Sequence, residues 1–234
     1  MEIMVTGASS GVGAAAAVAL ASPGRRLWLL ARRPEALEVT AAAVRTAGAE
    51  AAVLPCDVAD PAAVMRAFAT VGARLDVLVN AAALPANDVP GTPSEKIAQV
   101  VAVNLTGLML CAREAVLRMR PARSGTIVNL GSLCVRVKDA GASLYVATKL
   151  GVAGFTDSLR KEVAADGIRV VLLNPGQIAS GMVTETPEER SRMVEQEKML
   201  TPEEVAEAIR YCVELPERVV VTEMELRPRA QSGL

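Results

Sequence analysis

The stretch TGASSGVG, residues 6–13, decides which fold this chain is expected to adopt. It has three glycines and no proline, it follows the apolar residues 3–5, and an alanine-rich run comes directly after it. The apolar residues indicate a buried strand, and the alanines indicate a helix. The stretch is therefore predicted to be a glycine-rich turn that leads from the first strand into the first helix.

The composition is that of one globular domain. The 234 residues are 51% hydrophobic and carry a formal net charge of −1, which predicts a single domain over residues 1–234. A chain so close to neutral lacks the basic surface that nucleic acid or an anionic membrane attracts, so neither is expected as a partner. The sequence contains no histidine, which excludes Ser-His-Asp and Cys-His catalysis and argues against a metal site.

The cysteines and the apolar segments predict a cytoplasmic location. The four cysteines are widely spaced and form no CxxC pair, as is typical of reduced and mostly buried thiols. The chain does not start with a basic region, an apolar core and a cleavage site, so a secretory signal is not expected. No apolar run reaches ~18 residues without a charge or a breaker, which argues against a transmembrane helix.

Short apolar runs alternate with longer helical patterns from end to end. Seven runs are apolar nearly throughout, as strands covered on both faces of a sheet should be. The runs occupy residues 2–6, 25–31, 50–56, 75–80, 125–132, 168–174 and 218–228, and helices are expected over residues 11–21, 34–48, 61–72, 94–120, 143–166 and 202–215. This alternation predicts an α/β fold of the Rossmann type, with a doubly wound, seven-stranded, mainly parallel sheet and helices on both faces. Residues 180–200 are expected to form a loop of functional size.

The glycines of the first turn suit a dinucleotide pyrophosphate. In a doubly wound sheet, backbone amides at the start of the first helix bind that group, and glycines allow the tight turn and the close approach. Gly7, Gly11 and Gly13 have the spacing GxxxGxG, which is one residue looser than the commoner GxGxxG. A glycine-rich turn without a ligand is the alternative at this point.

Further motifs follow in order. LVNAAA occupies residues 78–83, VNLTG residues 103–107, YVATK residues 145–149 and NPGQIAS residues 174–180, with Ser132 ahead of YVATK. Together with TGxxxGxG, they resemble the short-chain dehydrogenase/reductase (SDR) family in its compact single-domain branch, over nearly the whole chain. Two departures are the alanines at 81–83, where the family often has a second Asn and a Gly, and a C-terminus without GxxxxVDGG. That C-terminus resembles members acting on small 3-hydroxy acids or serine-like substrates.

The resemblance implies a catalytic set of Ser132, Tyr145, Lys149 and Asn104. Tyr145 and Lys149 lie four residues apart in a predicted helix and share one face. The lysine ammonium is expected to lower the tyrosine pKa, so that Tyr145 can exchange a proton with a carbonyl or alcohol oxygen. Ser132 ends the fifth strand, where its hydroxyl can stabilise charge on that oxygen. By resemblance, Asn104 kinks its helix and holds a water that links Lys149 to solvent.

A nicotinamide cofactor is expected because no side chain can carry a hydride. The second strand ends in Ala31, where NAD-binding folds usually have an acidic residue, and Arg32 and Arg33 follow. Guanidinium groups fit phosphate oxygens, which favours NADP(H) over NAD(H); two solvated arginines are the alternative. By resemblance, the cofactor contacts come from Gly7, Ser9, Ser10, Gly11, Val12, Gly13, Arg32, Arg33, Asp57, Val58, Asn80, Ala81, Pro175, Gly176, Ile178 and Ser180.

These expectations describe an NADPH-dependent oxidoreductase that interconverts a ketone or aldehyde and an alcohol. The small-molecule substrate would be recognised by loops at residues 84–92, 133–143 and 180–200. A catalytically silent NADP(H)-binding sensor or scaffold of the same fold is the alternative, although such a protein has no need for all four catalytic residues. An epimerase or dehydratase of the longer SDR branch would need a longer C-terminal part.

The predicted helices over residues 94–120 and 143–166 carry a surplus of apolar and small residues. The surplus suggests a self-complementary interface, and the resemblance also implies a homodimer or homotetramer joined through these helices, with Ala112 facing the partner. The alternative is that these residues belong to the core. They are Ala112, Ala115, Val152, Ala153, Gly154, Phe155 and Leu159.

Overall fold

Seven strands form one sheet in the computed structural model, which describes residues 1–86 and 88–231. They are β1 (Glu2–Thr6), β2 (Arg26–Ala31), β3 (Glu50–Pro55), β4 (Val77–Asn80), β5 (Gly125–Leu130), β6 (Ile168–Pro175) and β7 (Glu223–Leu226). Their order across the sheet is β3-β2-β1-β4-β5-β6-β7, and each neighbouring pair is parallel. The predicted α/β fold of the Rossmann type is confirmed.

Helices follow the strands along the chain. They are α1 (Gly11–Ala19), α2 (Pro34–Thr46), α3 (Pro61–Val71), α4 (Ser94–Val101), α5 (Leu108–Met119), α6 (Cys134–Val137), α7 (Ser143–Val163), α8 (Pro187–Glu195) and α9 (Pro202–Glu214), and a π-helical turn, Ala102–Gly107, joins α4 to α5. Two predicted helix starts are capped. The Asp60 carboxylate accepts the Ala62 N–H at 2.8 Å, and Thr201 and Glu204 form a capping box.

Side chains on the strands alternate between two apolar layers. On β1, Ile3 and Val5 belong to the layer that includes α1, α2 and α9, whereas Met4 belongs to the layer that includes α3, α5 and α7. All three are fully buried. Because both faces of the sheet are covered, its central strands are apolar at most positions, as their sequences predict. Because all neighbouring strands are parallel, their carboxyl ends lie together at one edge of the sheet.

Three elements differ from their predicted extents. The π-helical turn divides the helix expected over residues 94–120, and α8 lies within the loop expected over residues 180–200. The last strand comprises only four residues of the expected 218–228. Of the predicted substrate loops, the one at residues 84–92 contains Asn87, which is outside the described residues, as are 232–234.

The joined helical run Ser94–Ala122 is long and apolar enough to cross a membrane, and it is the one such helix among the described residues. More than half of its most apolar window is buried inside the fold. Cys111, Ala115 and Met119 are fully buried and pack in the same layer as Met4 of β1. We therefore assign this run to the core of the fold.

The surplus of apolar residues on these helices belongs mostly to the core. Ala112, Ala115 and Val152 are fully buried within one chain. The expectation that Ala112 faces a partner is therefore wrong: its methyl group fills the layer between α5 and the sheet. The large apolar side chains of α4, α5 and α7 that are exposed are Val101, Leu117 and Leu150.

Candidate active site

The turn between β1 and α1 is tight enough to require glycine at two positions. Gly7 has a φ of 69°, and a Cβ there would lie 2.8 Å from the carbonyl oxygen of Ala81 and from the Ala82 backbone. A Cβ at Gly13 would lie 2.3 Å from the carbonyl oxygen of Gly7. The absence of these side chains lets the start of α1 close onto β1, where its backbone amides can face a ligand.

Thr6 joins this turn to the one that follows β4. Its Oγ1 accepts the N–H groups of Ala81 and Ala82, at 3.1 and 3.2 Å. The two turns that form the centre of the sheet edge are thereby held at a fixed separation. The sequence motifs do not indicate this role of Thr6. A polar side chain at the end of an otherwise apolar strand is the signal that points to it.

A cleft of about 490 Å³ opens at the carboxyl ends of the strands. This is the edge at which open α/β sheets bind ligands. The structure brings together, as lining residues, most of the predicted site residues, which come from every part of the chain up to the segment after β6. They are Gly7, Ser9, Ser10, Gly11, Val12, Gly13, Arg32, Arg33, Asp57, Val58, Ala81, Ser132, Tyr145, Lys149, Pro175, Gly176, Ile178 and Ser180.

Asn80, another predicted contact, lies beneath the cleft and does not line it. Its side chain is buried, and Nδ2 donates to Oδ1 of Asn129 at 3.0 Å. Asn129 Nδ2 in turn donates to Oγ1 of Thr156 at 3.0 Å. These bonds connect β4, β5 and α7. The side chain of Asn80 therefore supports the strands, and it is not positioned to contact a ligand in the cleft.

Asn104 also lies outside the cleft wall, in the π-helical turn. Its Oδ1 accepts the N–H of Leu84 at 2.7 Å, and its Nδ2 donates to the carbonyl oxygen of Leu84 at 2.9 Å. The same Nδ2 lies 3.5 Å from Oγ1 of Thr148. The side chain that the resemblance links to a water beside Lys149 is thus bonded to the loop after β4. It positions Leu84, which does line the cleft.

Lys149 lies on α7, and its side chain is buried against the end of β5. Its Nζ donates to the carbonyl oxygen of Leu130 at 2.8 Å and lies 5.6 Å from the centroid of the Tyr145 ring. The predicted placement of both residues on one face of a helix is therefore observed. Burial lowers the pKa of Lys149 to about 8, because the charged ammonium is poorly solvated there.

Burial raises the pKa of the Tyr145 phenol above its usual range. The neighbouring Cys134 thiol adds to this rise, and the Ser132 hydroxyl opposes it. The expectation of a lowered tyrosine pKa is wrong for this geometry: the net shift is upward, because burial removes the water that would stabilise a phenolate. Tyr145 therefore keeps its proton at neutral pH, which is the form that a general acid needs.

Ser132 is held by hydrogen bonds on both sides. Its N–H donates to Oδ1 of Asn174 at 3.1 Å, and its Oγ accepts the N–H of Cys134 at 3.2 Å. Asn174 Nδ2 donates to Glu223 of β7 at 2.8 Å, so the last strand helps to orient the serine. The sequence motifs do not indicate this supporting role of Asn174, although Asn174 is again a polar residue at the end of an apolar strand.

Arg32 and Arg33 line the cleft directly after β2. Both side chains are exposed, and neither has a carboxylate partner within the part of the chain that the structure describes. Arg33 is also the N-cap of α2, where the partial positive charge of the helix N-terminus adds to that of the guanidinium. This corner of the cleft is accordingly suited to an anionic group.

Comparison with known proteins gives consistent matches over most of the chain. The family model described as short chain dehydrogenase matches residues 2–191. Carbonyl reductase family member 4 of Danio rerio is 38% identical over 218 residues, covering 91% of this chain and 91% of that protein. Cis-4-hydroxycyclohexanecarboxylate dehydrogenase of Sinomonas cyclohexanicum is 37% identical over 217 residues, covering 89% of this chain and 87% of that protein.

Solved structures agree with this assignment. An alcohol dehydrogenase from the archaeon Thermococcus sibiricus, complexed with 5-hydroxy-NADP, is similar with a TM-score of 0.88 and 27% sequence identity. The match covers 100% of this chain and 98% of the archaeal one. With its parallel sheet, its glycine turn and its cleft, this chain belongs to the short-chain dehydrogenase family of oxidoreductases that act on alcohol and carbonyl groups.

Proposed function

We propose that this protein is an NADPH-dependent carbonyl reductase that converts a ketone or aldehyde to an alcohol. The observation that carries the proposal is the place of Tyr145, a half-buried residue that lines the cleft together with Ser132 and Lys149 and whose raised pKa keeps the phenol protonated at neutral pH. A proton donor at this place serves reduction. One relative is named a carbonyl reductase and another a dehydrogenase, so the names alone do not favour either direction.

Each residue of the catalytic set has a separate part in this proposal. Tyr145 donates its proton to the substrate oxygen. Ser132 Oγ accepts the Cys134 N–H, and its O–H can donate to the same substrate oxygen. Lys149 lies beside the ring and stabilises the phenolate that remains. Asn104 positions the wall of the cleft through Leu84.

The residues of the cleft fit NADP(H). The close packing of Gly7 and Gly13 leaves backbone amides of α1 open to a pyrophosphate, and Arg32 and Arg33 suit the 2′-phosphate of the adenosine ribose. When bound, this cofactor supplies the hydride that no side chain can carry. The complex of the archaeal alcohol dehydrogenase with 5-hydroxy-NADP supports the choice. The contacts of the predicted lining residues with this cofactor are part of the proposal.

Turnover of a panel of ketones and aldehydes with NADPH tests the reductase. Tyr145→Phe should lower turnover by ~10²–10⁴-fold and leave NADPH binding unchanged, because it removes only the proton donor. Tyr211→Phe is the matched control, since Tyr211 is exposed on α9 and is the other of two tyrosines. Near-normal turnover in Tyr145→Phe would refute the assignment of the acid. NADPH binding without turnover of any carbonyl would refute the reductase and favour the sensor.

We further propose that the chain works as one domain, in the cytoplasm, as a homodimer or homotetramer. The four cysteines are free thiols, as a reducing compartment maintains them. The exposed Leu117 and Leu150 are candidates for an interface through α5 and α7.

A further inference from the structure

The cleft has a charged end and an uncharged end. Arg32, Arg33 and Asp57 line it beyond the ends of β2 and β3, whereas Ser132 follows β5. In the sheet order, β1 and β4 lie between β2 and β5. Three strand spacings of about 4.8 Å, roughly 14 Å in all, therefore separate the arginines from Ser132. This distance exceeds the Debye length of about 8 Å at physiological salt, so the arginines offer little attraction to a group at Ser132.

Apolar and glycine residues form the wall around the proposed reacting end. On the described part of this wall, the polar side chains contributed by the segments after β4, β5 and β6 are those of Ser132, Tyr145, Lys149 and Ser180. Lys149 is 4% exposed, and its ammonium already donates to the carbonyl oxygen of Leu130. Characteristic members of this wall are Ala82, Ala83, Leu84, Pro85, Gly131 and Met182.

Basic side chains near this end are paired elsewhere or lie off the wall. Arg136 of α6 forms ion pairs with Glu223 and Glu225 of β7. Lys138 and Arg192 are exposed and Arg190 is half-buried, and none of the three lines the cleft. The residues outside the described ranges, Asn87 and 232–234, include no Lys, Arg or His. Among the described residues, no cationic side chain other than the buried Lys149, which is already bonded to Leu130, is therefore placed to pair with an anionic substrate group.

We propose that the substrate is an uncharged, predominantly apolar ketone or aldehyde, and that carboxylate-bearing carbonyl compounds are discriminated against. The inference rests on the proposed reductase function and specifies its substrate class. A carboxylate bound beside Ser132 would lose water without gaining a cationic partner, which is unfavourable in an apolar environment. A neutral group of the same shape loses nothing comparable. The 3-hydroxy acids and serine-like compounds suggested by the C-terminal sequence are thereby disfavoured as substrates.

Matched substrate pairs test this proposal directly. Methyl 4-oxocyclohexanecarboxylate and its free acid share one ring and one ketone, and ethyl 3-oxobutanoate and its free acid form a second pair. With NADPH at neutral pH, kcat/KM should be at least tenfold higher for each ester than for its acid. Equal values, or a preference for the acids, would overturn the proposal. If no ester, acid or other ketone of the panel is reduced while NADPH binds, the reductase itself fails, which is a different result.

A charge introduced into the wall separates the effect of charge from that of shape. Met182 lines the cleft and is partly exposed, so its replacement does not disturb the core. Met182→Arg should raise kcat/KM for the acids at least tenfold relative to Met182→Gln, a neutral polar control. The ester-to-acid ratio of kcat/KM should therefore be lower in Met182→Arg than in Met182→Gln. An ester-to-acid ratio that is the same in both variants would show that shape sets the preference, and it would overturn the proposal.

Discussion

Replacing Arg32 and Arg33 together by alanine tests how the protein selects its cofactor. Both guanidinium groups line the cleft, and both are exposed without a carboxylate partner within residues 1–86 and 88–231. They stand at the N-terminus of α2, where a positive charge is unfavourable and an anion is favoured. A 2′-phosphate bound there would gain from both arginines and from the helix. NADH lacks this phosphate and gains nothing.

The expected magnitude follows from the exposure of these side chains. An exposed ion pair contributes up to about 1 kcal/mol, so two of them give about 2 kcal/mol. Since about 1.4 kcal/mol corresponds to a tenfold change in affinity, the wild type should bind NADPH about 30-fold more tightly than NADH. The double variant should bind the two with similar affinity. Ala31→Asp should reverse the preference, because a carboxylate accepts the ribose 2′-hydroxyl and repels a phosphate.

Fluorescence titrations with NADPH and NADH at low and high salt measure these affinities. The Debye length falls from about 10 Å at 0.1 M to about 3 Å at 1 M ionic strength, so the preference for NADPH should narrow with salt. Arg218→Ala is the matched control, because Arg218 is exposed beside the starts of β4 and β5, at the opposite edge of the sheet. Equal affinities in the wild type, or a preference that survives in the double variant, would refute the reasoning.

The sheet and most of the cleft can be predicted from sequence because their causes are local. Apolar runs of strand length need cover on both faces, and the alternation with helices leaves few topologies. The glycine positions are equally direct. At Gly7 and Gly13 a Cβ would collide with backbone atoms, so these two positions require glycine.

The helix within residues 180–200 could have been predicted from capping. This stretch contains TPEE at residues 186–189, the same four letters that begin α9 at residues 201–204, and both form a capping box. No described residue of α8 is buried, so the apolar periodicity that identifies core helices is missing there. Local capping, rather than the burial of a face, marks this helix.

Contacts between distant segments account for what the sequence does not predict. Asn80 and Asn104 belong to motifs of the site, but their amide groups bond Asn129 and Leu84, which lie 49 and 20 residues away. The pKa of Tyr145 depends on how many segments of the chain cover its ring. The spacing of residues along one helix indicates only that Lys149 is near, and it does not indicate this burial. The π-helical turn at Ala102–Gly107 changes the backbone hydrogen bonding locally but leaves the apolar pattern of the sequence almost unaltered, so that pattern does not predict it.

Three further changes test the central turn, the buried lysine and the assembly. Thr6→Val leaves two backbone N–H groups without their acceptor, so urea unfolding should show a loss of about 2–4 kcal/mol, most of which Thr6→Ser should restore. The pKa of Lys149 is about 8 in the folded chain, against an ordinary value of 10.5. Between these two pH values the unfolded chain binds more protons at this residue than the folded chain does, so stability rises with pH. The wild type should therefore gain about 1–2 kcal/mol more stability from about pH 8 to 9.5 than Lys149→Met, and equal gains in urea unfolding would contradict the assignment. The last change concerns Leu150, which is 42% exposed on α7, where the resemblance implies an interface. Leu150→Glu would place a charge against the partner, and light scattering should show a lower mass while NADPH binding persists. Val39→Glu is the control: Val39 is 74% exposed on α2, where no interface is implied, so the same type of change there should leave the mass unaltered. Wild-type protein that scatters as a 24.4 kDa monomer at micromolar concentration would show that α7 forms no such interface.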